Sequence, residues 1–314
     1  METLKQHGTE DPALLIDASI FIFRSYFSLP DNWFSEDGYP TAAVYGYTTF
    51  LLNLLENQQA STVAACYDES LDTCFRNDLY PDYKSSRELP DEALAFQLSA
   101  CKQIGEQMGI ASFASDHYEA DDLLGTLAQL CRKESRPVAL LTRDKDLGQL
   151  LKREQDFLWN PSFKGAYKAS EGRLYTADII EKFGVRPDQL VDYLALVGDS
   201  VDDIPGVPGV GPKTAAGLLE QYTDILDIFR HLDDLHALPI RGAGKLAEKL
   251  TQHTKQIAMA RQLATIVEDI PLGIEIEDLA LKTVNLVALE ELMSSLGFGK
   301  KMCERARRIL GPES

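Results

Sequence analysis

The sequence predicts an α/β fold with a central, mostly parallel sheet flanked by helices. Three short apolar runs carry this prediction, and an acidic residue follows each of them within two positions. The runs and their acids are 13–16 with Asp17, 63–67 with Asp68, and 137–142 with Asp144. Short apolar runs that alternate with helical patterns are typical of buried parallel strands. The carboxyl ends of such strands form the ligand crevice of an open α/β sheet, so we expect these acids to meet there.

The elements divide the chain into three predicted parts. Residues 1–12 are predicted to form a mobile polar leader, 13–185 the α/β core, and 186–314 a helical region. Within the core, a polar, aromatic and proline-containing excursion at about 69–100 interrupts the strand pattern. Excursions of this length between core elements often act as lids or binding loops. No internal repeat is apparent.

Composition narrows the possible functions. The chain has 314 residues, 45% of them apolar and 25% charged, with a net charge of −18. No apolar stretch is long enough to span a bilayer, and the first residues do not resemble a signal peptide. The five cysteines form no C-x-x-C pair, so we expect reduced thiols in a cytoplasmic monomer. The negative charge argues against general polyanion binding, so any nucleic-acid contact must come from local basic patches.

Nine acids in five clusters are candidate metal ligands. They are Asp17, Asp68, Glu119, Asp121, Asp122, Asp144, Asp146, Asp199 and Asp202. Crowded carboxylates repel one another unless cations neutralise them, and ligand sets made only of oxygen suit hard cations such as Mg²⁺ or Mn²⁺. The pattern indicates a metal-dependent enzyme that acts on a phosphorylated substrate. For each acid taken alone, a helix cap or a turn is the alternative.

A glycine-rich stretch at 205–219 gives the second signal. Its glycines run G-x-x-G-x-G, which is the wrong order for a dinucleotide-binding fingerprint. Pro212 suits the first turn of a helix, glycines allow close backbone approach, and a helix N-terminus with Lys213 suits a phosphate. The stretch therefore predicts a phosphate-binding hairpin between two helices, with a ligand-free interhelical turn as the alternative.

The order of these motifs points to a family. The motifs are Leu14-Leu15-Ile16-Asp17, Tyr67-Asp68, Phe75-Arg76, Tyr80-Pro81-Asp82-Tyr83-Lys84-Ser85-Ser86-Arg87, Glu119-Ala120-Asp121-Asp122, Thr142-Arg143-Asp144-Lys145-Asp146 and Gly198-Asp199-Ser200-Val201-Asp202. Together with the glycine stretch, they resemble the bacterial 5′-nuclease family, which includes the 5′–3′ exonuclease domain of DNA polymerase I and the flap endonucleases. The resemblance extends over residues 13–310.

The resemblance implies a PIN-like 5′-nuclease core, a helical arch at about 69–100 and a C-terminal helix–hairpin–helix (helix–three-turn–helix) motif. It implies that the nine acids bind or support two or more divalent metals, and that Lys84 and Arg87 contact the scissile phosphate. It also implies DNA contacts, with K⁺ in the hairpin at 206–211. The residues expected to contact DNA are Arg76, Tyr80, Tyr83, Gly206, Gly209, Gly211, Lys213 and Thr214. The chain departs from the family at Val201, Asp203 and Arg143, where Ser, Asn and Gly are usual.

The sequence therefore predicts a 5′-nuclease that hydrolyses phosphodiesters in DNA where a 5′ single-stranded end or flap meets duplex. A nuclease of RNase H type on the same scaffold and a non-catalytic binder of branched DNA are the alternatives. Retention of all nine acids disfavours the binder, which gains nothing from their mutual repulsion.

Overall fold

A computed structural model describes residues 11–58, 60–70, 73–163, 168 and 170–311. Residues 1–10 of the predicted leader lie outside the described residues. The strands are β1 (Ala13–Asp17), β2 (Val63–Asp68), β3 (Ala111–Ser115), β4 (Val138–Leu141), β5 (Phe157–Trp159) and β6 (Arg173–Leu174). The described α-helices are α1 (Ala18–Ser28), α2 (Ala42–Asn57), α3 (Phe75–Leu79), α4 (Glu92–Gln107), α5 (Ala120–Lys133), α6 (Thr176–Phe183), α7 (Leu190–Val197), α8 (Pro212–Gln221), α9 (Ile225–Arg230), α10 (Leu246–Gln252), α11 (Thr254–Ala264), α12 (Leu286–Ser295) and α13 (Lys300–Leu310). None of these helices is both long and apolar enough to cross a bilayer.

The strands form one sheet in the order β3-β2-β1-β4-β5-β6, in which only the β5–β6 pair is antiparallel. The chain moves outward from β1 through β2 to β3, and then returns to the other side of β1 with β4. This reversal opens a crevice above the carboxyl ends of β1 and β4, where ligands bind in doubly wound folds. The predicted, mostly parallel sheet is confirmed.

Side-chain alternation along the strands separates two apolar layers. Leu14 and Ile16 of β1 face a core built with α1, α2 and α4, whereas Ala13 and Leu15 face a core built with α5. Alternate residues of a strand point to opposite faces of a sheet, so strands buried on both faces are apolar throughout. This accounts for the continuous apolar runs in the sequence.

A third apolar cluster lies in the helical region. It contains residues from Val185 to Leu263, together with Tyr83 from the excursion. Beyond this cluster the chain returns to the α/β core. Ile266 and Leu279 pack with α5, and the N–H of Leu281 donates to the carbonyl of Ser61 at 3.0 Å.

The last two helices pack on the opposite face of the sheet. Buried residues of α12, α13 and the turn between them join the core of α1, α2 and α4; they are Leu289, Met293, Leu296, Phe298, Met302 and Ala306. The prediction placed all of 186–314 in the helical region, but residues 265–311 wrap around the α/β core. The surface that α12 and α13 cover belongs to segments far away in the chain, so the pattern within these two helices does not predict it.

This packing makes Met293 a structural residue of the nuclease core. Because its side chain is fully buried, we expect Met293→Ala to lower the free energy of unfolding by about 2–5 kcal/mol, the usual range for a buried truncation to Ala. On the same helix, Val287 is 67% exposed, so Val287→Ala should change the free energy of unfolding by less than about 0.5 kcal/mol. Urea denaturation measures both. Equal small effects would show that α12 does not pack against the core.

Candidate active site

Two acids lie at the point where the strand order of the sheet reverses, between β1 and β4. Asp17 ends β1, and Asp144 follows β4. The Thr142 hydroxyl donates to Oδ2 of Asp17 at 2.9 Å and accepts the N–H of Asp144 at 2.9 Å, so it holds the Asp17 carboxylate beside the backbone of Asp144. Burial raises the pKa of Asp17 to about 7, and the charge of Asp144 adds to the rise. Thr142 was not among the predicted site residues, although its position two residues before Asp144 was visible in the motif.

The start of α5 brings more acids to the same place. Glu119 is the N-cap residue, and its side chain and that of Asp122 form a capping box, which supplies acceptors for free N–H groups in the first turn. Burial, followed by repulsion from Asp144 and Asp17, raises the pKa of Asp121. Repulsion of this size acts only between neighbouring charges, so Asp121 lies close to the two acids at the strand ends.

Six of the nine predicted acids line one pocket: Glu119, Asp121, Asp144, Asp146, Asp199 and Asp202. Burial raises the pKa of Asp146 to about 7, with repulsion from Asp144 and Asp199 adding to it. Asp68 lies at the end of β2, where burial followed by the charge of Glu119 raises its pKa. In this pocket, negative charge exceeds what the neighbouring protein groups neutralise.

The acids do not form a closed cage. Across the described part of the chain, no three Asp, Glu, His or Cys side chains are arranged to hold a metal ion. Mutual repulsion opposes closer approach, and several acids turn toward protein donors. For example, Oδ1 of Asp199 accepts the N–H of Val201 at 2.8 Å, and Oδ1 of Asp144 accepts that of Asp146 at 2.8 Å. The acids still offer only carboxylate oxygens, which are the ligands that hard divalent cations prefer.

Lys84 and Arg87 reach the rim of the pocket. The Lys84 ammonium pairs with Glu119 and lies 3.6 Å from Asp202, and Arg87 pairs with Asp202 at 2.6 Å. Lys84 has a positive φ of 52°, a left-handed conformation that costs a non-glycine residue about 1–2 kcal/mol. Its N–H donates to the carbonyl of Asp202 at 3.1 Å. These contacts hold the strained backbone in place.

Asp203 also has a left-handed backbone, with φ of 55°, and its carboxylate accepts the N–H of Ser86 at 2.9 Å. Asn and Asp tolerate this conformation better than most residues. The departure from Asn at this position is therefore conservative for the backbone. Arg143 is not among the positive-φ residues, so its backbone does not require the glycine that is usual there.

Arg76 is buried rather than available to DNA. Its side chain is 2% exposed and binds both oxygens of Asp122, at 2.6 and 2.8 Å. The same guanidinium donates to the carbonyls of Leu263 and Thr265, each at 2.8 Å. The expectation that Arg76 contacts DNA is therefore corrected. The sequence showed a basic residue in a polar segment, but not that its donors would be used inside the protein.

Asp122 lies behind the pocket. It is fully buried, and besides Arg76 its oxygens accept the N–H groups of Val267 at 2.9 Å and Glu119 at 3.1 Å. A carboxylate with this many donors has few lone pairs left for a metal. The structure thus gives Asp122 a supporting position, linking α5 to the segment after α11.

Gln149 is a second link that the sequence analysis missed. It accepts the N–H of Ile266 and donates to the carbonyl of Ala264, each at 3.1 Å. Gln149 lies in the 3₁₀ helix Asp146–Leu150. It therefore holds the acid-bearing turn against the same segment that Arg76 binds.

Tyr83 is also not placed to stack on a base. Its ring is 3% exposed, and its hydroxyl donates to Glu119 at 2.9 Å. Tyr80 is partly buried against the helical cluster. The excursion itself consists of the five-residue α3, turns at 81–87 and the first part of α4, with residues 71–72 outside the described chain. The described residues do not form a tall helical arch.

The glycine stretch forms a loop between α7 and α8. A Cβ on Gly206 would overlap the carbonyl of Val197, so glycine is required there. Gly209 has a positive φ of 75°. Gly211 has no neighbour within 4 Å of a Cβ position, and the carbonyl of Gly211 accepts the N–H of Thr214 at 2.9 Å. Lys213 is exposed on the first turn of α8.

This geometry agrees with what comparison with known proteins finds. Residues 12–184 match the family model of the 5′-3′ exonuclease N-terminal resolvase-like domain, and residues 185–286 match that of the 5′-3′ exonuclease C-terminal SAM fold. A 5′-3′ exonuclease of Buchnera aphidicola subsp. Schizaphis graminum is 32% identical over 291 residues, which are 92% of this chain and 98% of that protein. The chain belongs to the 5′-3′ exonuclease family. It is accordingly a 5′-nuclease, a hydrolase that acts on DNA.

Other relatives and structures extend the comparison. DNA polymerase I of Pseudomonas aeruginosa is 37% identical over 272 residues, and the chain spans 29% of that protein's length. Solved structures of T5 5′-exonuclease with zinc and of the catalytic core of Rad2 with DNA substrate share the fold. Their TM-scores are 0.62 and 0.64, their identities 18% and 15%, and they cover 95% and 96% of this chain, which spans 98% and 92% of theirs.

The burial of Arg76 gives a stability prediction. Arg76→Ala leaves Asp122 buried without its partner, so we expect the free energy of unfolding to fall by about 3–5 kcal/mol. Arg307→Ala removes a guanidinium that is 62% exposed and pairs with Glu290, and it should cost less than about 1 kcal/mol. Denaturant unfolding compares the two. If Arg76→Ala unfolds like the wild type and loses only DNA affinity, Arg76 is a DNA contact after all.

Proposed function

We propose that this 5′-nuclease uses two or more divalent cations, Mg²⁺ or Mn²⁺, to hydrolyse DNA phosphodiesters where a 5′ single-stranded end or flap meets duplex. One observation carries the proposal: six acids line one pocket at the reversal point of the sheet. Structures of the same fold support it, since T5 5′-exonuclease has been solved with divalent zinc and the Rad2 core with DNA substrate.

The residues proposed to hold the metals are Asp17, Asp68, Glu119, Asp121, Asp144, Asp146, Asp199 and Asp202, with Asp122 supporting them through Arg76. When bound, such cations supply an activated water and stabilise charge on the leaving oxygen. The chain's own part is to collect the acids at one edge of the sheet. Burial raises the pKa values of Asp17 and Asp146 to about 7, and a bound cation would favour their charged forms.

Lys84 and Arg87 are proposed to act on the phosphate. Both cations lie at the pocket rim, paired with Glu119 and Asp202. A cation fixed beside the reacting group stabilises charge that develops in the transition state. The ion pair with Glu119 holds the Lys84 ammonium at this rim, and the bond from the Lys84 N–H to the carbonyl of Asp202 holds its strained backbone.

The duplex beside the cut is proposed to bind the loop between α7 and α8. Gly209 and Lys213 are exposed, and Gly211 and Thr214 are half-buried. Phosphate contacts from such a loop and helix start position a duplex without reading its sequence. The side-chain amide of Gln256 donates a hydrogen bond to the carbonyl of Gly206 at 2.7 Å. K⁺ would therefore have to bind other carbonyls of 206–211. Exchange of K⁺ for Na⁺ at constant ionic strength would then lower duplex affinity.

We infer a cytoplasmic protein from the thiols. All five cysteines are free, and four are buried. Burial raises the pKa of the Cys66 and Cys101 thiols, which keeps them unreactive. A monomeric state remains a prediction.

The metal proposal is tested by removing single acids. Asp144→Ala and Asp199→Ala should each slow cleavage of a labelled 5′-flap duplex in Mg²⁺ by at least about 10²-fold, the scale of losing one charge-stabilising group, and spare binding in EDTA. Asp269→Ala removes an exposed carboxylate that does not line the pocket and is the matched control. Cleavage within about 10-fold of wild type would place the site elsewhere. Faster cleavage of a ribonucleotide flap would favour the RNase H-type alternative.

Lys84 and Arg87 are tested by separating rate from affinity. We expect Lys84→Ala and Arg87→Ala to lower the single-turnover rate at saturation by about 10²–10³, with a much smaller change in affinity. Lys102→Ala controls for the loss of charge, because it removes a lysine of α4 that pairs with Glu69. If affinity falls and the saturated rate does not, the two side chains only bind DNA.

A further inference from the structure

Lys84 bridges two acids of the pocket that come from different parts of the chain. Glu119 stands at the start of α5, and Asp202 lies in the turn after α7. The Lys84 ammonium forms an ion pair with Oε1 of Glu119 and lies 3.6 Å from Oδ2 of Asp202. Its side chain is only 10% exposed, so the ammonium is held among protein groups, between two proposed metal ligands.

Each of these acids divides its two oxygens between different tasks. Oε2 of Glu119 accepts the Tyr83 hydroxyl at 2.9 Å, and Oε1 faces the Lys84 ammonium. Oδ1 of Asp202 pairs with Arg87 at 2.6 Å, and Oδ2 faces Lys84. One oxygen of each carboxylate thus helps to fix its position, and the other is turned toward the same ammonium.

The remaining acids of the pocket have no protein cation paired with them. Four further acids line the pocket: Asp121, Asp144, Asp146 and Asp199. Among the described residues, no Lys, Arg or His forms an ion pair with any of these four. Lys84 therefore supplies positive charge to one side of the pocket. Coulomb attraction draws an ammonium and a metal ion to the same carboxylates, so Lys84 is a monovalent substitute for a metal ion at Glu119 and Asp202.

The Lys84 side chain can leave this position while its backbone stays in place. The N–H of Lys84 donates to the carbonyl of Asp202 at 3.1 Å, and the N–H of Ser86 donates to the carboxylate of Asp203 at 2.9 Å. Neither bond involves the ammonium, which lies at the end of a flexible four-carbon stem. The stem can therefore turn while both backbone bonds persist.

We propose that the Lys84 ammonium takes the place of a divalent cation between Glu119 and Asp202 in the metal-free protein, and that it must leave this position when a cation binds there. While it pairs with the two acids, Lys84 is not available to a DNA phosphate; once displaced, it is. The metal-free enzyme thus holds its own phosphate-contacting lysine in an inactive position. This inference rests on the proposed function, because it assumes that Glu119 and Asp202 hold a divalent cation.

Metal affinity without DNA tests the competition. Binding of Mn²⁺ is measured from the electron paramagnetic resonance signal of the free ion. Lys84→Met keeps a side chain of similar length without the charge, and we expect it to bind Mn²⁺ at least about 10-fold more tightly, because a charge beside a carboxylate changes its proton affinity by about 10–10³-fold. Lys84→Arg retains the charge and should stay close to wild type. Unchanged or weaker binding by Lys84→Met would overturn the proposal.

Amine labelling of the wild type tests the displacement itself. Acetylation of individual lysines is followed by mass spectrometry at constant pH and ionic strength, in EDTA and in saturating Mg²⁺. Lys84 should react slowly in EDTA and faster in Mg²⁺. Lys152, which is 42% exposed and pairs with Glu268, should react at the same rate in both. Equal Lys84 rates in EDTA and Mg²⁺ would show that the side chain stays in place.

The matched control is Lys152→Met, which removes the same charge from an ion pair that does not line the pocket and should bind Mn²⁺ as wild type does. If Lys84→Met does not fold in EDTA, labelling of the wild type still decides the question. A wild type that binds Mn²⁺ and cuts the flap, beside a Lys84→Met variant with no gain in affinity, overturns only the inference. A wild type that neither binds Mn²⁺ nor cuts the flap in Mg²⁺ overturns the proposed function and the inference with it.

Discussion

A buried chain of ion pairs runs from Asp122 through Arg76 and Glu119 to Lys84 and Asp202, and it joins three parts of the molecule. The α5 helix supplies two of the acids, the excursion supplies both cations, and the turn after α7 supplies the last acid. Breaking one buried pair costs about 3–5 kcal/mol because it leaves an uncompensated charge. The placement of the pocket therefore depends on this network more than on any single apolar contact.

The network leaves the pocket negative. Among the described residues, only Arg76, Lys84 and Arg87 form ion pairs with the nine predicted acids. Burial, with the remaining repulsion added to it, raises the pKa values of the acids at the strand ends and of Asp121 on α5. The repulsion also explains why the acids line one pocket without closing around a point. In the proposed function, hard cations would offset the acids, and Lys84 and Arg87 at the rim would face the phosphate.

The sequence predicted what depends on local pattern. Apolar runs followed by acids predicted the strands β1, β2 and β4 and the crevice at their carboxyl ends. It could not predict what depends on packing between distant segments. Whether Arg76 and Tyr83 face DNA or the core is decided by Leu263, Thr265 and Glu119, which are far away in the chain. The same holds for α12 and α13, whose packing partners are far away in the chain.

The central claim is that the acid pocket binds divalent cations before DNA arrives. Thermal unfolding of the DNA-free protein in MgCl₂, compared with NaCl at equal ionic strength, tests it most directly. A ligand that binds only the folded state stabilises it by about 2.7 kcal/mol at one hundred times its Kd, so Tm should rise with Mg²⁺ concentration in the wild type. In Asp121→Asn, which lacks one pocket carboxylate, the rise should require more Mg²⁺. Identical Tm values in MgCl₂ and NaCl, or the same Mg²⁺ response in the variant, would contradict the account.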